Sequence, residues 1–276
     1  MSLAAPTQLP GFRPEASVLD LTLSGPSLGN AEIEFGVVAR DQDCWPGATW
    51  DCDESGKPTP PRVTQGLPQP PTWLIGGAVD CGVDPAARAN RHADLAQHRL
   101  AGETLWFGRS GWTPDRLRLN NPALHTVVSG VPLPVVSAVA TLVGSARLCG
   151  NGGPGMLHMS PQVAIEFMAA CPDLVEFRAW SDAVVRPTLR FTGDALIAAV
   201  GYDGSAPNAT GGPSAPGTWV YWTPPVYRWL GPWVELNANT SGGINPDTNE
   251  RVFRRERQVV FAWNNCCPVL AVEVAL

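Results

Sequence analysis

Lysine is almost missing. Lys57 is the sole one in 276 residues, so arginine supplies nearly all the positive charge of a chain with formal net charge −6. A broadly basic nucleic-acid-binding surface is thereby excluded, and only a local arginine patch stays open. Charged residues amount to 16%, against about 25% in average domains, which leaves little material for long solvated helices. No apolar run reaches the roughly 18 residues of a membrane span, so no membrane partner is expected. The start, Met1 to Pro6, has neither the basic residues nor the apolar core of a signal peptide. That predicts a cytosolic product with reduced thiols. The seven cysteines are irregularly spaced and none forms C-x-x-C, so neither a disulfide framework nor a zinc ribbon is indicated. Also missing are G-x-S-x-G, the phosphate loop G-x-x-x-x-G-K-S/T, H-E-x-x-H and a G-x-G-x-x-G after a strand. The sequence predicts no cofactor and no metal.

Against this background, 28 glycines and 28 prolines stand out. Together they are about a fifth of the chain, above average usage but below the roughly 25–30% of low-complexity chains. Eleven tryptophans exclude a disordered chain. The expectation is a folded, turn-rich protein with a substantial core.

Along the chain, residues 1–30 read as a Pro/Ser/Leu-rich extended arm, and 31–40 alternate as in a strand. Residues 41–71 form a long excursion rich in Pro, Gly and Asp, which must be functional, mobile or ordered by a partner. Residues 72–79 return as a short strand. Asp84 and Pro85 start a long helix of mostly small apolar positions that runs to Trp106–Gly108. Residues 109–130 read as loop. A second helix spans Leu133 to about Leu148, with Arg147 its only charge, which predicts burial. Gly152–Gly155 then turn the chain into a strand over Met156–Met159, and Ser160 with Pro161 start a third helix to about Ala170. After Pro187 the pattern is β, with strands at 188–192, 195–201, 218–223, 226–236, 252–263 and 268–275. A flexible loop is predicted at 203–217. Cys266 and Cys267 read as a buried pair in a C-terminal strand, pointing to opposite faces.

Few residues suggest chemistry. His92 and His98 are six apart on the first helix, the wrong spacing for paired metal ligands. Asp41, Asp43, Asp51, Asp53 and Glu54 cluster without the ligand spacing of a calcium loop and read as a solvated acidic loop. Gly150–Gly155 precede a strand rather than a helix, so no helix N-terminus is offered to a phosphate. His158 and Ser160 alternate beside one strand, which keeps a hydrolase base–nucleophile pair as an alternative, although no carboxylate is near to orient the imidazole. The run Arg251–Arg257 places Arg255 and Arg257 on the face of Phe253, and Arg254 with Glu256 on the other. It reads either as an edge strand guarded by charge or as a set of inter-subunit ion pairs.

The order of elements resembles the shell proteins of tailed phages and the related encapsulins, the Hong Kong 97 fold. Gly102–Gly108 (Gly-Glu-Thr-Leu-Trp-Phe-Gly) is similar to the step that ends the family's long spine helix. Gly153–Pro161 is similar to its Gly-Pro, strand, Ser-Pro step into a helix, and Phe253–Phe261 to its final strand pair with a charged start. The excursion rich in Pro and Cys, the long 203–217 loop and the near absence of Lys depart from the pattern. The resemblance implies an α+β fold with an arm (1–30), an extended loop (31–80) and a peripheral domain with the spine helix (81–150). An axial domain (151–250) and C-terminal strands returning to the peripheral domain (251–276) would follow. It implies a major capsid protein, not an enzyme, whose hexamers and pentamers close an icosahedral virion shell around double-stranded DNA held non-specifically. Decoration or portal proteins are implied partners, and the bacterial host cytoplasm is the implied place of synthesis. Lys57, Trp106, Arg254, Arg255 and Arg257 would lie at subunit interfaces. Some family members join subunits by a Lys–Asn isopeptide bond, but no partner for Lys57 is matched by motif. Another virion component, such as a head-decoration, head–tail or tail protein, is the alternative within the same class.

Overall fold

Ser160 and Pro161 start a helix where the sequence predicts one. In the computed structural model, residues 18–20, 72–80, 91, 99–106, 118–148, 154–181, 184–208, 217–230, 234–237, 244–245, 250–263 and 267–276 are described. Of these, 18–20, 72–80, 180–181, 184, 227–230, 234–237, 244–245 and 250–263 are described by backbone alone. The strand at 31–40, the 41–71 excursion with Lys57 and the acidic cluster, His92, His98 and Cys266 lie outside the described residues. So does most of the first helix.

The described end of that helix, α1 (residues 99–106), carries Ala101, Leu105 and Trp106 into the interior. A side chain at Gly102 would put its Cβ 2.3 Å from the Val200 carbonyl oxygen, so the small residues do serve close packing. Helix α2 (Val135–Arg147) buries Ala138, Val139, Leu142, Val143 and Ala146, a stripe at helical spacing. Helix α3 (Pro161–Ala170) has Ser160 as N-cap, its hydroxyl accepting from the Val163 amide at 3.4 Å, with Pro161 at the first position. Ser160→Ala is expected to cost about 1 kcal/mol, read as a shifted urea midpoint at unchanged slope.

Two sheets hold the described strands. The larger has eight, in the order β3 (His125–Val127), β14 (Val269–Ala275), β9 (Trp219–Thr223), β5 (Met156–His158), β8 (Ala195–Ile197), β7 (Val184–Leu189) and β6 (Val175–Ser181), with β4 (Leu133–Pro134) also pairing β14. The smaller has six: β1 (Val18–Asp20), β10 (Val226–Leu230), β13 (Glu250–Trp263) and β11 (Val234–Asn237) in order, with β2 (Thr72–Asp80) and β12 (Ile244–Asn245) on β13. The chain passes from one sheet to the other between Thr223 and Val226. Pro224–Pro225 mark that crossing, and the single strand expected over 226–236 is two, β10 and β11, which both pair with β13.

Helices α2 and α3 pack with β5, β8, β9 and β14 in one core that includes Leu142, Leu157, Phe167, Trp222 and Val272. That core draws on residues from both sides of position 150. A second core joins α1 to the opposite side of the same strands through Trp106, Met156, Ile197, Tyr202 and Tyr221. Adjacent strand residues such as Met156 and Leu157 point to different cores. The central strands β5, β8, β9 and β14 are thus buried on both faces.

Three local expectations are corrected. The 109–130 stretch contains β3, which needs β14 as its parallel partner and so has no local signal. The loop at 203–217 is not free at its start: Tyr202, Gly204 and Ser205 are buried. Cys267 is buried and disulfide-bonded rather than reduced, its partner lying outside the described residues, while Cys171 is a free thiol. Among the described residues, no helix is long and apolar enough to cross a membrane.

Candidate functional site

Strand β5 brings His158 to the centre of the larger sheet, where β8 and β9 flank it. Its Nδ1 lies 3.2 Å from the Tyr202 hydroxyl and its Nε2 2.9 Å from Thr223 Oγ1. Both ring nitrogens are thus occupied by neutral hydroxyl groups, the ring is fully buried, and among the described residues no carboxylate is bonded to it. Ser160 directs its oxygen to the start of α3. The hydrolase alternative built on His158 and Ser160 is therefore corrected: each side chain has a structural partner, and neither engages the other.

Burial holds the His158 imidazole far below its usual value, at about 3, with the Arg186 guanidinium adding repulsion. Burial likewise lowers His125 to about 4. Both rings stay neutral in the folded chain at pH values where the unfolded chain protonates them, below about 6.5. Their contribution is complete above that pH and drains as the pH falls toward 4, by about 1.4 kcal/mol per pH unit for the fully buried His158 and by less for the partly exposed His125. Denaturant midpoints measured from pH 7 to 4.5 are expected to fall accordingly, and His158→Phe to remove one ring's share of the slope.

The polar centre that sequence reasoning missed is Asp194. Its carboxylate is wholly buried. One oxygen accepts from the Gly155 amide at 2.7 Å and from the Trp222 indole at 2.9 Å. The other pairs with Arg147 at 2.8 Å, at the last turn of α2. Arg147 also donates to the Thr192 carbonyl at 3.0 Å. One carboxylate thereby ties α2, the turn into β5, the β7–β8 turn and β9 together. The approach is close enough that a Cβ on Gly155 would stand 2.3 Å from the Trp222 ring. A lone charge on a Val/Ala helix, Arg147, was the signal available in the sequence.

Trp106 was expected at a subunit interface; it is instead fully buried inside the subunit. Its indole donates to Ser205 Oγ at 2.9 Å and packs edge-on to Tyr221 with centroids 4.9 Å apart and against Tyr202 at 4.6 Å. Tyr221 donates to the Ser205 carbonyl at 3.0 Å, and burial raises its pKa, aided by nearby Asp203. Ser205 is the pin that draws the start of the 203–217 segment into the core. A tryptophan that ends a buried helix face satisfies its N–H internally, so no surface remains for a partner.

The arginine run lies in β13. That strand is central rather than an edge: β2 pairs with residues 251–259 on one side, and β10, β11 and β12 pair on the other. Arg254 stands opposite Gly77 and Leu236, Arg255 opposite Gly76 and Glu235, and Arg257 opposite Leu74. The guarded-edge reading is corrected, because strands distant in sequence cover both ladders. Lys57 lies outside the described residues. Among those described, no group of His, Cys, Asp and Glu is arranged to hold a metal ion.

No family model matches the sequence, and no curated protein matches it. Solved structures do match in shape. The capsid of an empty GTA particle is similar over 100% of this chain and 95% of its own, at 11% identity and TM-score 0.54. A structure from Microbacterium phage Oxtober96 is similar over 99% of this chain and 94% of its own, at 13% identity and TM-score 0.53. An encapsulin complex from Synechococcus elongatus is similar over 78% of each chain, at 12% identity and TM-score 0.45. At such identities the likeness establishes the fold, and the fold is the Hong Kong 97-like α+β fold expected from the order of elements.

Proposed function

We propose that this chain is the subunit of a self-assembling shell, the major capsid protein of an icosahedral virion that encloses double-stranded DNA. The observation that carries the reading is the end-to-end likeness to a capsid subunit, 100% of this chain against 95% of that one. A fold shared over part of its length fits many roles; one shared over nearly all of both chains supports a common role for the whole of this sequence. The site supports a structural role in a second way, since the buried His158, Asp194 and Trp106 are spent on holding elements together.

Heterologous contacts repeated around symmetry axes close such a shell. Arg254, Arg255 and Arg257 are proposed as interface residues and Lys57 as part of an extended loop reaching a neighbour. Contacts to packaged DNA would be weak and non-specific, because a net charge of −6 opposes phosphate binding except at inner arginines. The place of the protein is the virion, after synthesis in the host cytoplasm.

Negative-stain microscopy of the purified full chain tests this. Hollow shells or capsomers are the expected result. A small oligomer that binds only preformed shells would replace the reading with that of a decoration protein.

A further inference from the structure

Cys267 is 3% exposed and disulfide-bonded, and its partner lies outside the described residues. Cys171 is a free thiol, which leaves Cys44, Cys52, Cys81, Cys149 and Cys266. Cys266 is too close. Adjacent Cα atoms stand about 3.8 Å apart across a trans peptide, below the roughly 4.4–6.8 Å that a disulfide usually spans. Cys81 is too far. Asp80 stands opposite Arg251 at the start of β13, and Trp263 ends that strand about 40 Å away. The short stretch from Trp263 to Cys267 recovers at most about 14 Å of this.

Helix α2, by contrast, leads to Cys267. Strand β4 sets Leu133 opposite Val274, so the helix begins beside the far end of β14. Its last-turn Arg147 pairs with Asp194, which also holds the Trp222 indole, and Trp222 stands opposite Leu270 near the start of β14. The helix therefore runs back along β14. Lengths agree: 13 residues of helix rise about 20 Å, and the chain from Cys267 to Val274 extends about 23 Å. Ala146 and Cys267 belong to the same core. Leu148 caps the helix, 90% exposed, and Cys149 is the next residue. The described strands that flank Cys44 and Cys52 in the chain, β1 and β2, belong to the smaller sheet.

We infer that Cys149 and Cys267 form this bond, a redox-set clip between the end of α2 and the C-terminal strand. In a reducing compartment the chain holds two thiols. A small disulfide, such as oxidised glutathione, is the oxidant. The Cys149 thiolate attacks one of its sulfurs, forming a mixed disulfide and releasing one thiol. The Cys267 thiolate then displaces the second thiol and closes the bond. Two cysteine sulfurs are oxidised, the small disulfide is reduced to two thiols, and the cysteine protons leave on those thiols. The clip closes a loop of more than 100 residues, the long-loop case in which a cross-link restricts the unfolded chain most.

Two measurements on the full chain test it. After treatment with oxidised glutathione, digestion without reductant and tandem mass spectrometry are expected to find peptides joined between positions 149 and 267. A link from Cys267 to any other cysteine overturns the assignment. In thermal unfolding of the subunit, dithiothreitol is expected to lower the wild-type midpoint by about 10 °C. It is expected to leave Cys149→Ser unmoved, at the value of the reduced wild type. Equal shifts in both chains, or no shift in the wild type, overturn the clip. Both measurements are made on the subunit, so a chain that never forms shells overturns the shell reading and leaves this test standing.

Discussion

Replacing Asp194 with alanine is expected to destabilise the subunit by about 3–5 kcal/mol, the cost typical of stripping one partner from a buried charge network. Three donors converge on the carboxylate: the Gly155 amide, the Trp222 indole and the Arg147 guanidinium. Removing it leaves the first two buried and unanswered and takes from Arg147, at the end of α2, its carboxylate partner. The loss approaches half of the roughly 5–15 kcal/mol that separates folded from unfolded domains. Urea denaturation of the subunit under non-assembling conditions measures it. Asp194→Asn keeps the volume but presents an amide N–H₂ where an oxygen accepts, so it is expected to recover only part of the loss. A change below 1 kcal/mol for the alanine variant would mean that the network does not hold these elements. Arg147→Ala is expected to cost less than Asp194→Ala, because Arg147 is partly exposed and its loss leaves the carboxylate two of its three donors.

Trp106→Ala is expected to cost a similar amount, about 3–5 kcal/mol, as for large aromatic residues removed from cores. The indole sits against Tyr202 and Tyr221 and holds Ser205. Its removal opens a cavity between α1 and the sheet and leaves the Ser205 hydroxyl without its donor. Trp106→Phe is expected to be milder, losing chiefly one buried hydrogen bond worth about 1 kcal/mol. The distinction from an interface role is sharp. A residue acting only between subunits would lower particle yield and leave the isolated subunit's denaturation curve in place. A core residue moves the curve itself.

How the sequence foretold these elements depends on where each signal lies. Helix α3 was legible almost to the residue, because Ser160 and Pro161 state its start within two positions. Helix α2 and strands β5, β9 and β14 were legible from apolar runs punctuated by Gly and Pro. Strand β6 was missed although Val175, Phe177 and Ala179 alternate with Glu176 and Arg178, a period-two signal hidden by the helix reading just before it. Strand β3 carries no such signal, since three residues become a strand only by lying beside β14. The arginines of β13 looked like an edge because local sequence cannot announce that β2, about 180 residues earlier, will cover it.

The sequence alone determined the class of the protein. Scarce charge and abundant Gly and Pro are local quantities that establish a folded, turn-rich chain, and the order of helices and strands resembles the Hong Kong 97 family, which implies the α+β fold that the solved structures share. The tertiary structure decided which side chains face inward. Trp106 moved from an interface to a core, His158 and Ser160 from a catalytic pair to two structural bonds, and Asp194 from an unremarked residue to a hub. Burial and pairing depend on partners tens to hundreds of residues away, and the energy of a polar or aromatic side chain is set by those partners. No window of sequence contains them.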